Sequence, residues 1–462
     1  MLLSQCSNNV SRKDTSVTTS APVQFQKIAS SNGLLSLDLE AMPQQVQLGN
    51  ITANLLAYNG TVPGPLLEVG PGDRVKIRFT NSLTQPTNLH YHGLHISPEV
   101  DDVFLEIAPG EQRTYEFQIP ENHPAGTFWY HPHKHGLVAE QLFGGLAGLF
   151  IVRGELDEIP EIKAAQESFL VLKDFALDRS GNIADTGHMA AMTGRAGGLL
   201  TASGQINPAV PIQQGGLARL RLLNASPSRF FRLSLENHSM HLIATDGGAI
   251  ASPVELSDVV LAPGERVEVL VRGNQAAGSY RLINQPFNPA QGGMMGGNQS
   301  SERSETVATL VYEGETQKAS LPSKLIPVVS LPEPSETRQF ALNHGMGGMM
   351  GGGMVFLING KAFDPSRIDT QVKLNTIEDW EITNTGSMAH PFHIHTNKFQ
   401  IVSQNGQNTP YVAWRDVVSI TPGETVRIRM AFRDYTGKTV YHCHILDHED
   451  RGMMGILEIQ QA

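Results

Sequence analysis

The chain has 462 residues, too many for one core, and at roughly 100–200 residues per domain it should form about three. Its formal charge of -11 argues against nucleic acid as the main partner, because phosphate binding needs a basic face. With only two cysteines, Cys6 and Cys443, no disulfide framework is available, and no apolar run is long enough for a membrane-spanning helix.

Residues 1–23 read as a leader. Met1-Leu2-Leu3 looks like the tail of a signal sequence without its apolar body, and Leu3-Ser4-Gln5-Cys6 loosely resembles a lipoprotein cleavage box. Lipid attachment through Cys6 is one expectation; a disordered Ser/Thr-rich segment is the other. From Gln24 onward, β-branched runs are separated by Pro-Gly-acid turns at Pro71-Gly72-Asp73, Pro109-Gly110-Glu111, Pro263-Gly264-Glu265 and Pro422-Gly423-Glu424. Each turn is followed by alternating apolar and polar residues, as in Arg266–Val271 and Thr425–Met430. That alternation marks strands with one buried face, so the fold class is all-β, a sandwich, with helices short or absent except around Ile159–Gln166.

Three units follow in order, at 24–154, 155–314 and 336–462. The segment 315–335 contains Pro322, Pro327, Pro332 and Pro334 and reads as an extended linker. Gly126–His131, Gly278–Ile283 and Gly437–His442 line up as one strand repeated three times. Upstream, His238–Ile243 aligns with His390–His395. The middle copy then carries Ile243 and Ile283 where its neighbours carry histidine, so metal is expected in the first and third units only.

Histidines cluster at His90-Tyr91-His92, His131-Pro132-His133, His390-Pro391-Phe392-His393-Ile394-His395 and His442-Cys443-His444, with His448 and Met453 beyond. Scattered core histidines would not group this way. In a strand, residues two apart share a face and neighbours oppose each other. His442 and His444 must therefore face one site and Cys443 another. The same parity separates His390 from His393 and His395, so His390 can join Cys443, with His448 and Met453 completing that site. Two same-face pairs, His90 with His92 and His131 with His133, add to His393, His395, His442 and His444. Eight imidazoles exceed what one metal uses, but suit three coppers lying between the first and third units. The soft sulfur and imidazole set around Cys443 suits a blue copper centre.

These four motifs, in this order around a middle unit without ligands, resemble the bacterial three-domain multicopper oxidases of the laccase and cuprous oxidase type. The resemblance runs from about Gln24 to Ala462. It implies three consecutive cupredoxin-like Greek-key β-sandwich domains and four coppers per chain. The type 1 copper would take His390, Cys443 and His448 with Met453 axial; the type 2 copper, His90 and His393; the type 3 pair, His92, His131, His133, His395, His442 and His444. It further implies a periplasmic or secreted monomer, with dioxygen reduced to water at the cluster and phenolic or aromatic donors, or Cu(I), oxidised at the type 1 centre. Asp101 and Glu449 match family positions for proton relay, Asp102 being the neighbour that resemblance disfavours.

Other residues invite plainer readings. His95 and His135 break the motif pattern and read as supporting or surface groups, His123 and His188 as loop residues, and His238 and His241 as remnants of a lost site. Trp414-Arg415-Asp416 resembles a segment that lies close to the cluster in this family, although a strand with an ordered salt bridge explains it equally. Met294-Met295 and Met346, Met349, Met350 and Met354 lie in glycine-rich stretches with little core to enter; their thioethers suit Cu(I), and Met388 could line the same rim. A ferroxidase would want acids beside His390, where Gly386, Ser387 and Met388 stand instead. A copper-buffering protein or metal-free scaffold of this fold would be expected to have lost ligands, and none of the twelve positions is lost.

Overall fold

The computed structural model describes residues 19–289, 303–346 and 353–461. Cys6 and the greater part of the leader, Met294-Met295 and the central methionines Met349 and Met350 lie outside them, as does the side chain of His188. The alternation in sequence is realised as half-buried strands. In Arg74–Asn81, Val75, Ile77 and Phe79 are buried while Arg74, Lys76 and Arg78 face out, as the two-residue period of a strand requires.

Among the described residues six sheets form, two per unit. In the first, a four-stranded sheet faces a five-stranded one, with a core built on Leu39, Ile77, Phe79, Tyr91, Phe128 and Phe150. The second and third units repeat this with six- and five-stranded and with seven- and five-stranded sheets. Two parallel pairings recur in every unit: Leu34–Leu48 with Arg74–Asn81 and Gly64–Val69 with Gly148–Val152, then Gln166–Phe175 with Leu217–Asn224 and Ala209–Gln214 with Glu305–Glu315, then Glu336–Met346 with Thr376–Asn384 and Thr370–Lys373 with Met454–Gln460. The first unit adds a third, Lys27–Ala29 with Gly64–Val69. The three copies of the repeated strand occupy equivalent places, each antiparallel to the last strand of its unit.

One alignment needs correction. The segment His238–Ile243 does not correspond to His390–His395. The strand that pairs with Ser279–Asn284 and Val259–Leu261, as His390–Ile394 pairs with Gly437–Cys443 and Val417–Ile420, is Phe231–Leu235. Met240–Thr245 instead lies in the other sheet beside Arg266–Arg272, the place that Phe399–Gln404 holds in the third unit. The His-x-x-His spacing of His238 and His241 recurs by chance, one strand later than the equivalent position. The strand that does correspond carries no histidine, so it offers no imidazole at these positions. His238 is held by the Glu236 carbonyl at 2.6 Å and the Tyr312 hydroxyl at 2.8 Å.

The expected helix near Ile159–Gln166 is two short turns, Glu155–Glu158 and Pro160–Lys163, before a strand begins at Gln166. Residues 316–335 form no helix or strand, but they are tied down: the Leu325 amide donates to the Ala251 carbonyl and the Leu331 amide to Gln400. Leu66, Trp129, Val138, Leu223 and Leu446 form one apolar cluster drawn from all three units. That cluster brings the third unit back against the first.

Candidate metal centres

The strand Gly437–Cys443 runs straight into the helix Leu446–Asp450, which places Cys443 and His448 on one side of the turn. Cys443 Sγ lies 3.5 Å from His390 Nδ1 and 3.7 Å from His448 Nδ1, and those two nitrogens are 3.3 Å apart. The centre of this triangle is about 2 Å from each atom, the length of a bond between a transition-metal ion and an imidazole nitrogen. Met453 is wholly buried beside it, held by a bond from the Cys443 amide to the Met453 carbonyl at 3.0 Å and one from the Met453 amide to the His448 carbonyl at 2.9 Å. Burial drives the His390 pKa down to about 3, with His344 adding to the effect, and pushes the Cys443 thiol up. A thiolate is costly here without a cation, and the neutral imidazoles have free lone pairs to hold one.

On the opposite face of the same strand, eight imidazoles converge in three groups: His90 with His92 and His393; His92 with His131 and His444; His133 with His395 and His442. In the last, His442 Nε2 stands 3.1 Å from His133 Nε2 and 3.2 Å from His395 Nε2. All eight are buried, and burial first, then the neighbouring rings in most cases, holds them below the usual histidine range. Their outer nitrogens show which way the lone pairs point. His90, His131, His393 and His442 each direct Nδ1 at an oxygen, of Asp101, Pro132, Asp416 and Cys443 respectively, which turns Nε2 inward. His92 is reversed: Nε2 donates to Asp416 Oδ1 at 3.0 Å, and Nδ1 is left without a protein partner. Orphaned buried nitrogens around a common point are the donor set of a metal cluster, with outer hydrogen bonds fixing each ring.

Comparison with known proteins decides the family. Residues 41–157, 168–315 and 332–462 each match family models described as multicopper oxidase. The multicopper oxidase mco of Staphylococcus haemolyticus is 32% identical over 450 residues, 94% of this chain and 92% of that protein. Among solved structures, a multicopper oxidase from Campylobacter jejuni described as a metallo-oxidase is 31% identical with a TM-score of 0.86, covering 96% of both chains. A laccase from Pediococcus acidilactici is 27% identical, with a TM-score of 0.81 over 96% of this chain and 94% of that one. The chain belongs to the multicopper oxidase family. It is an oxidoreductase that uses copper and dioxygen, and the two groups of donors suit the type 1, type 2 and type 3 coppers of such an enzyme.

Within this multicopper oxidase, the two acids singled out from sequence both reach the histidine cluster. Asp101 is buried and accepts from His90 Nδ1 at 2.9 Å and the Tyr91 amide at 3.0 Å, with His395 Nδ1 at 3.3 Å. Asp102 instead accepts from the Phe104 amide, so the geometry separates the neighbours. Glu449 lies 3.3 Å from His442 Nδ1 and 3.7 Å from His133 Nδ1, and burial, with Asp450 nearby, raises its pKa well above the usual carboxylate range. Asp416 combines an ordered salt bridge with a contact to the cluster: it pairs with Arg266 and it bonds a cluster histidine. Arg266 itself carried no signal in the sequence, because its link to the site crosses from the middle unit. His95 faces the Thr396 carbonyl and Asp434, His123 is buried and accepts from the His95 amide, and His135 packs on Phe363.

Proposed function

We propose that His390, Cys443 and His448 with Met453 hold the type 1 copper, His90 and His393 the type 2 copper, and His92, His131, His133, His395, His442 and His444 the type 3 pair. Bound copper would supply one-electron oxidation of a donor at the first site and four-electron reduction of dioxygen to water at the second. The protein's share is placement. Cys443 sits one peptide bond from His442 and from His444, so one tripeptide joins the two sites. Asp101 holds the His90 ring by Nδ1. Glu449, whose neutral form burial favours, stands beside His442, where it would hold or pass a proton.

The donors we assign are Cu(I) and small phenols or other aromatics. One observation carries the Cu(I) assignment. Phe356 stacks on His448 with centroids 3.8 Å apart and planes at 19°, and it belongs to the hairpin of Glu336–Met346 with Met354–Ile358, in which Met346 pairs with Met354. The strands that flank the glycine- and methionine-rich stretch thus include the one that packs on the type 1 histidine. Met388, buried, precedes His390 on the same rim. Soft thioethers in a stretch flanked by these strands suit delivery of Cu(I), and the neighbours described as a metallo-oxidase and a laccase support the two donor classes. Asp447, an acid that could attract Fe(II), is instead forked by Arg195 at 2.9–3.2 Å, which disfavours a ferroxidase.

Deleting Gly345–Gly353, or changing its methionines to Leu, should lower Cu(I) oxidation by about tenfold or more, the scale of loss when supporting metal contacts are removed. Oxidation of a small phenol should stay equal or rise. Leucine keeps apolar bulk and removes only sulfur. Unaltered Cu(I) turnover in both variants would leave the phenol-oxidising reading alone.

A further inference from the structure

We propose that Arg266, from the middle unit, and Asp416 form a positioning pair that sets the rings of His92 and His393, and so the type 2 side of the cluster. This rests on the ligand assignments proposed above. Arg266 is wholly buried, and all five of its guanidinium N–H donors are used. Nε donates to the Thr127 carbonyl of the first unit at 3.0 Å. Nη1 donates to the Gly264 carbonyl at 3.1 Å and Nη2 to the Asp246 carbonyl at 3.0 Å, both within the middle unit. The remaining two form a fork on Asp416 of the third unit, at 2.6 Å to Oδ1 and 2.7 Å to Oδ2.

A bidentate fork fixes the plane of a carboxylate as well as its charge. With its plane set, Asp416 takes the His92 Nε2 proton on Oδ1 at 3.0 Å, while its main-chain carbonyl accepts from His393 Nδ1 at 2.7 Å. One residue thus decides which nitrogen each ring turns inward, for a histidine of the first unit and one of the third. The two rings stack at 3.9 Å and 11° and belong to one group with His90. Asp416 is also why His92 alone among these rings is seen to be turned round by a carboxylate on Nε2.

A second observation points the same way. Gly93, directly after His92, has φ +85°, and a Cβ there would overlap Arg266 Nη2 and Asp416 Oδ2. The glycine lets the ion pair come up against the His92 backbone. The middle unit touches the cluster once more at its Pro263-Gly264-Glu265 turn, where a Cβ on Gly264 would meet the His444 ring at 2.9 Å. A unit whose corresponding strand has no histidine therefore still shapes the site.

The test compares purified holoenzyme with Arg266→Lys, Arg266→Gln, Asp416→Asn and Gly93→Ala. It reads copper per chain, the type 2 cupric EPR signal, the visible thiolate band and the rate of copper release to a chelator. Arg266→Gln and Asp416→Asn should release cluster copper about tenfold faster or more, and change the type 2 hyperfine splitting, with the thiolate band intact. Arg266→Lys should fall between them and wild type, because an ammonium cannot make the planar fork. Gly93→Ala should resemble Arg266→Gln. Should Arg266→Gln fail to fold, Asp416→Asn, which keeps the volume, decides. Wild-type copper content, release rate and EPR signal in a folded Asp416→Asn would overturn the proposal, as would loss of the thiolate band in step with the cluster. A wild-type protein without four coppers would overturn the ligand assignment instead.

Discussion

Asp101 and Asp102 are adjacent, yet only the first turns inward to His90; one position along a chain exchanges a buried carboxylate on a cluster histidine for a turn residue. Asp101→Asn and Glu449→Gln should therefore slow reoxidation of the reduced enzyme by dioxygen about tenfold to a hundredfold or more, on the scale of a lost general acid. Reduction of the type 1 centre should stay near wild type. Rapid mixing separates the two half-reactions, and undiminished reoxidation in both variants would make these acids bystanders. At this scale, the two groupings of side chains were readable because strand parity dictates direction: Cys443 had to oppose His442 and His444. Asp416 and Arg266 were not readable in the same way. Their contacts with His92 and with each other join residues 324 and 150 positions apart, and a lone Arg or Asp carries no mark of the partner it will meet.

Among the elements, the Pro-Gly-acid turns and two-residue alternation disclosed the strands, and the repeated parallel pairings show the units to be copies. The His238 misalignment shows the limit, since a four-residue motif can recur one strand away while pairing, not spelling, defines equivalence. The helix Val138–Gly144 is a case where local sequence lacks what the element needs. Leu137 stands at its N-cap and makes no side-chain bond there. Asp450, at the end of the helix Leu446–Asp450 in the third unit, supplies the cap instead, accepting from the Gly136 amide at 2.6 Å and the Ala139 amide at 2.9 Å. Asp450→Ala should cost about 1–2 kcal/mol, the scale of a lost cap, and speed hydrogen exchange at Gly136 and Ala139. Unchanged exchange at both amides would show the cap to be dispensable.

For the whole molecule, the arrangement of units follows from the histidines: two sets on distant stretches of chain share one cluster only if the third unit returns to the first. Copper bound there would tie the two units together, so stripping it with a chelator should lower the melting temperature, on the order of 10 °C, and re-addition should restore it. An unmoved melting temperature would show the units to be held by packing alone, through the cluster around Trp129, Val138 and Leu446. Three units could be anticipated from length and repeats, but their mutual grip could not, because it is made of single contacts scattered over the surface of each. His133 and His442, whose Nε2 atoms stand 3.1 Å apart, are 309 residues apart in the chain. During synthesis, His90, His92, His131 and His133 of the first unit leave the ribosome long before their counterparts exist, and by themselves they make an open chelator with little power to discriminate. Divalent ions bind such nitrogens in an order set by the ion more than by the protein. The right metal in the right place thus calls for a schedule: the chain must finish and close first, and be filled afterwards.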